Sequence, residues 1–364
     1  MDVKTFVDQL RDCGLLFDRR LERGVRDLES KANDGKTLAR LLIQQGLLTA
    51  YQANHILTGK GKELVLGQYR IVERLGQGST GQTFKAVHAT MGRLVVIRLM
   101  APHLTNDPKS RTKFTREVQN IAQLSHTNIL TAFDAFEVGG MYVLVMEYVE
   151  GMDLAALVRH VGPLPVQLAC NFLRQTALGL QHAYERGLGF CNIKPENILI
   201  AGYQANQTSS DSSSSSAVPR GVVKILNLGL ANLNEEAPLF VGGSPQLRSG
   251  AILSPADYMP PEMIRDSRSA DIRSDIYRLG CILYFALTGR PPFPGKTIQE
   301  KLGYHQTHNP APLEKVRPDV PPQLVPVVLK MMAKNPAARY QTPAELAHDL
   351  TPFCVTTPAG VSRA

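Results

Sequence analysis

Residues 69–87 read Tyr69-Arg70-Ile71-Val72-Glu73-Arg74-Leu75-Gly76-Gln77-Gly78-Ser79-Thr80-Gly81-Gln82-Thr83-Phe84-Lys85-Ala86-Val87, a Gly-x-Gly-x-x-Gly set between two strand-like runs. Aromatic and β-branched residues on both sides favour extended chain. The glycines let the backbone bend sharply and approach a phosphate with no side chain in the way. In a dinucleotide-binding fold the same spacing opens a helix. Here it joins strand to strand, which argues against that fold. Thr90-Met91-Gly92 supplies the next turn, and Leu94-Val95-Val96-Ile97 reads as a buried strand ending at Arg98.

Working outward, the pattern predicts a helix over Arg111 to Leu124, carrying Glu117, then short strands around Leu130–Phe136 and Met141–Met146. After Gly151 the chain reads as mostly helical, with one strand pair interrupted by an insert at 202–220. That insert contains five consecutive serines, Ser212 to Ser216, and too little apolar surface to order itself, so a mobile loop is expected. On the other side, residues 1–66 carry helical spacing at Phe6, Leu10 and Leu15, and again at Leu38, Leu42 and Leu47. Cys13-Gly14-Leu15-Leu16 matches Gln45-Gly46-Leu47-Leu48, so a duplicated helix–turn–helix is expected. Gly35-Lys36-Thr37 is like the end of a P-loop, but Ser30 stands where that motif needs its first glycine.

Composition narrows the function classes. The 364 residues are 43% hydrophobic and 20% charged, which excludes a wholly disordered chain. No apolar run approaches the roughly eighteen residues of a membrane span, and the start lacks a secretory layout. A cytoplasmic protein with no membrane partner is expected. Five scattered cysteines form no Cys-x-x-Cys pair, which argues against zinc and a disulfide frame. The net charge is +8, yet its densest cluster, Arg19, Arg20, Arg23 and Arg26, alternates with Asp18, Glu22 and Asp27. That is the pattern of a solvated helix face, and no nucleic-acid partner is expected.

From about Gly67 to Phe353 the chain resembles the bacterial Hanks-type serine/threonine protein kinases, through several motifs in the family's order. Leu75, Gly76, Gly78 and Gly81 resemble the glycine-rich loop. Met146-Glu147-Tyr148-Val149 resembles the gatekeeper and hinge. Phe190-Cys191-Asn192-Ile193-Lys194-Pro195-Glu196-Asn197 resembles the catalytic loop, and Asn227-Leu228-Gly229 stands where the family has Asp-Phe-Gly. Pro260-Pro261-Glu262 resembles the end of the activation segment, Asp275–Gly280 the helix anchoring the large lobe, and Arg339 the partner of Glu262.

The resemblance implies an α+β fold with a small antiparallel-sheet lobe (67–146), a hinge (147–150) and a helical large lobe (151–354), preceded by the helical extension 1–66. It implies nucleotide contacts at Leu75, Gly76, Gly78, Gly81, Thr83, Val96, Arg98, Glu117, Glu147 and Val149, and metal contacts at Asn197 and Asn227. The catalytic positions are Asn192 and Lys194.

Three departures bear on the chemistry. The phosphate-gripping lysine is Arg98, whose planar fork is not a point charge. The proton-accepting aspartate is Asn192, and loss of a general base costs about 10²–10⁴ in rate. The magnesium-holding aspartate is Asn227, which leaves the ion without a negative charge. Phosphoryl transfer depends on all three positions. The expected function is therefore a pseudokinase acting as a signalling or scaffold module. Its partners would be proteins, met through the lobes or the extension; ATP binding stays open and magnesium is weak or absent. The alternative is a weakly active ATP-dependent kinase. Val96, where the family has alanine, narrows the adenine slot or is accommodated by a small shift. Phe190, Leu228 and Ile121 are placed to form an apolar column. Cys191 removes the arginine that docks activation-segment phosphates, so phosphate on Ser249 or Ser254 has no such dock. Asp153 reads either as a ribose contact or as a plain helix cap.

Overall fold

A computed structural model describes residues 1–78, 81–104, 107–202, 221–229 and 255–354. The insert beyond Gly202 and the serines Ser249 and Ser254 lie outside the described residues. The chain divides into two compact units, 1–115 with 132–148, and 116–131 with 149 onward.

The first unit opens with four helices, α1 (Val3–Asp12), α2 (Arg19–Leu28), α3 (Gly35–Gln44) and α4 (Ala50–Leu57). Local capping starts each one: Asp2 accepts from the Thr5 amide, Asp18 from Arg20, Asp34 from Thr37 and Thr49 from Gln52. Gly35-Lys36-Thr37 is thus the capped first turn of α3. The sequence repeat has a structural counterpart, since Gly14 and Gly46 follow the ends of α1 and α3 with φ of 68° and 66°. Such left-handed positions after a helix favour glycine.

An antiparallel sheet comes next, in the order β1-β2-β3-β4-β6-β5. Its strands are β1 (Val65–Leu66), β2 (Tyr69–Gly78), β3 (Gly81–His88), β4 (Leu94–Met100), β5 (Ala132–Val138) and β6 (Met141–Glu147). Alternation gives the sheet two faces. Phe84, Ala86, Val95, Ile97, Val143 and Val145 point one way, into a core completed by Phe6, Leu10, Leu38, Leu42 and Ile56. Each fully buried Leu, Ile or Phe is worth roughly 1.5–3 kcal/mol. The helices of 1–66 therefore share one core with the sheet, and strand pairing begins two residues before the expected boundary, at Val65.

In the second unit, α7 (Val166–Glu185) and α9 (Ile272–Thr288) lie in one large core. Helix α9 is buried along nearly all its length, which explains its lack of a polar face. α6 (Leu154–Val161) precedes α7, α8 (Pro261–Arg265) precedes α9, and α10 to α13 (Ile298–Thr307, Leu313–Val316, Leu324–Met331 and Pro343–Leu350) complete the unit. The interrupted strand pair is the hairpin of β8 (Ile198–Ala201) and β9 (Val222–Ile225), with β7 (Gly151–Asp153) beside β8. The helix expected over Arg111–Leu124 is α5 (Pro108–Ala122). It starts earlier because Asp107 accepts from the Lys109 and Ser110 amides and Pro108 fits a first turn.

Candidate functional site

The glycines divide by what requires them. At Gly81 φ is +136°, and a Cβ would sit 1.9 Å from the Leu99 carbonyl oxygen, so only glycine fits. At Gly76 and Gly78 a Cβ would meet nothing within 4 Å. Among the described residues that space is open, as it is at turn glycines such as Gly92 and Gly139. Leu75, just before Gly76, is exposed.

Cross-strand register places Thr83 opposite Arg98 and Lys85 opposite Val96, on the face turned away from the helices. Arg98 donates Nε–H to Thr83 Oγ1 at 3.4 Å. The hydroxyl at 83 thus supplies an acceptor for the guanidinium at 98. Burial lowers the pKa of Arg98, yet a guanidinium stays charged at any ordinary pH. Val96 pairs with Lys85 on one side and buried Met146 on the other. Glu147 ends β6 opposite Val95.

In the second unit the catalytic-loop segment hangs from one carboxylate. Asp275, fully buried on α9, accepts from the Cys191 amide at 2.6 Å and the Ile193 amide at 3.0 Å. Burial pushes this carboxyl up to about 6, against the lowering effect of those amides and of Arg278. Asn192 lies between the two pinned amides with φ of +52°. Asparagine and aspartate tolerate this left-handed geometry better than most residues. The exchange of acid for amide therefore keeps the backbone and changes only the chemistry: the amide accepts no proton at neutral pH.

The Cys191 thiol is buried and pushed well above its ordinary value by desolvation, the state of an unreactive thiol. All five cysteines are free. Phe190 lies 5.5 Å from the buried Arg278 guanidinium, a cation–ring contact at the family's histidine position. Leu228 joins the large core, while Ile121 lies beside Gly229. Lys194 is exposed, its carbonyl accepting from the Asn197 amide, and Val149 is half-buried. Asp153 caps α6 by accepting from Ala156 at 2.7 Å, which supports the cap reading.

Asn227, at φ +61°, donates its amide N–H to Asn197 Oδ1 at 3.1 Å. Asn197 is itself fixed, its carbonyl accepting from the Leu226 amide. Behind this pair, a Cβ on Gly229 would come within 3.1 Å of Glu117 Oε2, so Glu117 and the 227–229 turn are in close approach. A magnesium ion prefers carboxylates in near-octahedral geometry. This pair offers two neutral amides, and one of their oxygens is engaged whichever way the amides are turned. The pair therefore lacks the carboxylate that the family places at position 227. Among the described residues, no cluster of three or more His, Cys, Asp or Glu side chains offers another metal site.

The large-lobe frame is intact. Arg339 grips Glu262 through two bonds of 2.8 and 2.7 Å, and Ser274 donates to the same carboxylate at 2.6 Å. Sequence reasoning missed two parts of the site's support. The role of Asp275 as anchor of the loop needed a contact 84 residues apart in the chain. The attachment of α4 to β2, by Thr49 and Gln52, carried no sequence signal beyond an ordinary capping box.

A family profile described as "Protein kinase domain" matches residues 69–351. The chain is 34% identical over 295 residues to a probable serine/threonine-protein kinase, CE0033, of Corynebacterium efficiens, covering 79% of this chain and 41% of that protein. It is 32% identical over 287 residues to the serine/threonine-protein kinase PknB of Mycolicibacterium smegmatis, covering 78% and 42%. It thus spans less than half the length of these relatives. The crystal structure of the Mycobacterium tuberculosis PknI kinase domain superposes with a TM-score of 0.56 at 22% identity, over 79% of this chain and 97% of that one, which shows the fold. Motifs, architecture and matches agree: the chain belongs to the protein kinase family and is homologous to the bacterial Hanks-type serine/threonine kinases.

Proposed function

We propose that this chain is a pseudokinase, a kinase-fold module that binds partners and keeps a phosphate cradle without the means to transfer a phosphoryl group. The observation that carries the reading is the Asn227–Asn197 amide bond, with a second amide, Asn192, at the base position. Phosphoryl transfer works by positioning and charge neutralisation. Here the cation position and the base position both lack a negative charge.

ATP is the expected ligand of the open glycines, with Arg98 as a cation for its phosphates and no part for magnesium. A protein is the expected partner, met through the lobes or the N-terminal helices. The dispersed charge does not favour nucleic acid. Among the described residues no helix is long and apolar enough to cross a membrane, which agrees with a cytoplasmic setting.

A second reading, a weakly active ATP-dependent serine/threonine kinase, is supported by the names of the relatives and by the intact Glu262–Arg339 and Asp275 anchors. A thermal-shift titration with ATP, with and without magnesium, separates the two. The pseudokinase reading expects stabilisation by ATP that is indifferent to magnesium. Stabilisation that appears only with magnesium overturns it in favour of the enzyme.

A further inference from the structure

The β2–β3 ladder slips between Ile71 and Glu73, leaving Val72 as an extra residue, and slips again between Arg74 and Gly76. A bulge leaves main-chain groups without ladder partners, bends the strand and re-aims the residues beyond it. At the first slip, two main-chain carbonyls are met from outside the sheet. Thr49 donates Oγ1–H to the Val72 carbonyl at 2.5 Å, and Gln52 donates Nε2–H to the Ile71 carbonyl at 2.8 Å.

Both donors are also the capping box of α4. The Gln52 amide donates to Thr49 Oγ1 at 3.1 Å, and the Thr49 amide to Gln52 Oε1 at 3.0 Å. The Thr49 hydroxyl therefore accepts from the helix and donates to the strand. The Gln52 side chain does the same with its two ends, which fixes its orientation. Gln52 is buried, so an unmet partner there is costly.

We propose that Thr49 and Gln52 are positioning residues for the glycine-bearing end of β2: they lock the bulge at Val72 and so set the direction of the strand end that carries Leu75, Gly76 and Gly78. The N-terminal helices then act on the phosphate cradle through two hydrogen bonds. This consequence for a ligand rests on the nucleotide reading above, whereas the lock itself does not.

The test separates the lock from the helix cap. In Thr49→Asp/Gln52→Glu both new side chains still accept the capping amides, but neither donates to β2. Thr49→Ser keeps every bond. Hydrogen exchange is monitored in the full chain for amides of residues 73–88 and, as reference within the same unit, for α1 and α3, alongside binding of a fluorescent ATP analogue in EDTA. The double variant is expected to exchange about tenfold faster in 73–88, with the reference helices unchanged, and to bind the analogue about tenfold more weakly. Thr49→Ser should match the parent.

Unchanged exchange, or an equal gain in the reference helices, overturns the lock. Faster local exchange with unchanged binding overturns its link to the glycines. If the parent binds no analogue, the nucleotide reading falls and exchange alone judges the lock. Should the double variant not fold, Gln52→Glu alone carries the same comparison.

Discussion

Asn227 and Asn197 satisfy each other, amide N–H to amide oxygen at 3.1 Å, at the two positions where the family's metal-binding side chains stand. An aspartate at 227 has no hydrogen to give. The Asn197 amide can turn to donate instead, and the site gains a negative charge that invites a cation. Asn227→Asp should therefore be stabilised by millimolar magnesium relative to EDTA. The φ of +61° is open to aspartate, so the backbone adds little cost. The parent's melting temperature should not respond to magnesium. A parent that responds as strongly as the variant contradicts the reading of this pair.

Asp275 holds the loop that contains Asn192. Asp275→Ala leaves the Cys191 and Ile193 amides buried without an acceptor and deprives Arg278 of its neighbouring carboxylate. A loss of about 3 kcal/mol or more is expected in urea unfolding of the second unit. A loss under about 1 kcal/mol would show that the loop is held by other contacts.

The glycines should separate in stability and in binding. Gly81→Ala drives a Cβ into the Leu99 carbonyl at an unfavourable φ and should lower stability by about 1–3 kcal/mol. Gly76→Ala meets open space and should leave the melting temperature within about 2 °C while weakening ATP binding. Equal effects of both on stability would remove the distinction between a packing glycine and a cradle glycine.

His305 supplies a pH signature. Its imidazole is buried against Phe293, accepts or donates at Tyr277 Oη (2.8 Å), and burial, aided by Lys334 and Arg278, lowers its pKa to about 3. The unfolded chain, at about 6.5, binds more protons between those values. The contribution of His305 to stability is full above pH 6.5 and is lost as pH falls towards 3. His305→Phe should flatten the slope of unfolding free energy between pH 7 and 4 by up to about 3 kcal/mol, whatever its effect at pH 7. An unchanged slope would place the titrating group elsewhere.

The sequence disclosed the elements set by short-range pattern. The strand–glycine–strand run, β4 and the β8–β9 pair follow from alternation, and the Gly14 and Gly46 turns from the repeat. The Glu262–Arg339 pair came from the family resemblance, with no local signal of its own. The hidden features depend on contacts distant in the chain. The single core of helices and sheet gathers Phe6 and Ile97 from distant parts of the chain, and neither position marks the other. The Val72 bulge looks like unbroken strand until the register is known. That Asn227 bonds to Asn197, rather than merely replacing an acid, is a matter of geometry 30 residues apart. The start of α5 was legible in Asp107-Pro108 but outweighed by the apolar spacing further on.

Transfer of labelled γ-phosphate from ATP to a generic basic protein, with magnesium present, tests the central claim most directly. The two uncharged amides at 192 and 227 predict no label above the enzyme-free blank, and a detectable gain in Asn192→Asp/Asn227→Asp if Arg98 is tolerated. Turnover by the parent chain in the range of about 1–100 per second, usual for protein kinases, would contradict it.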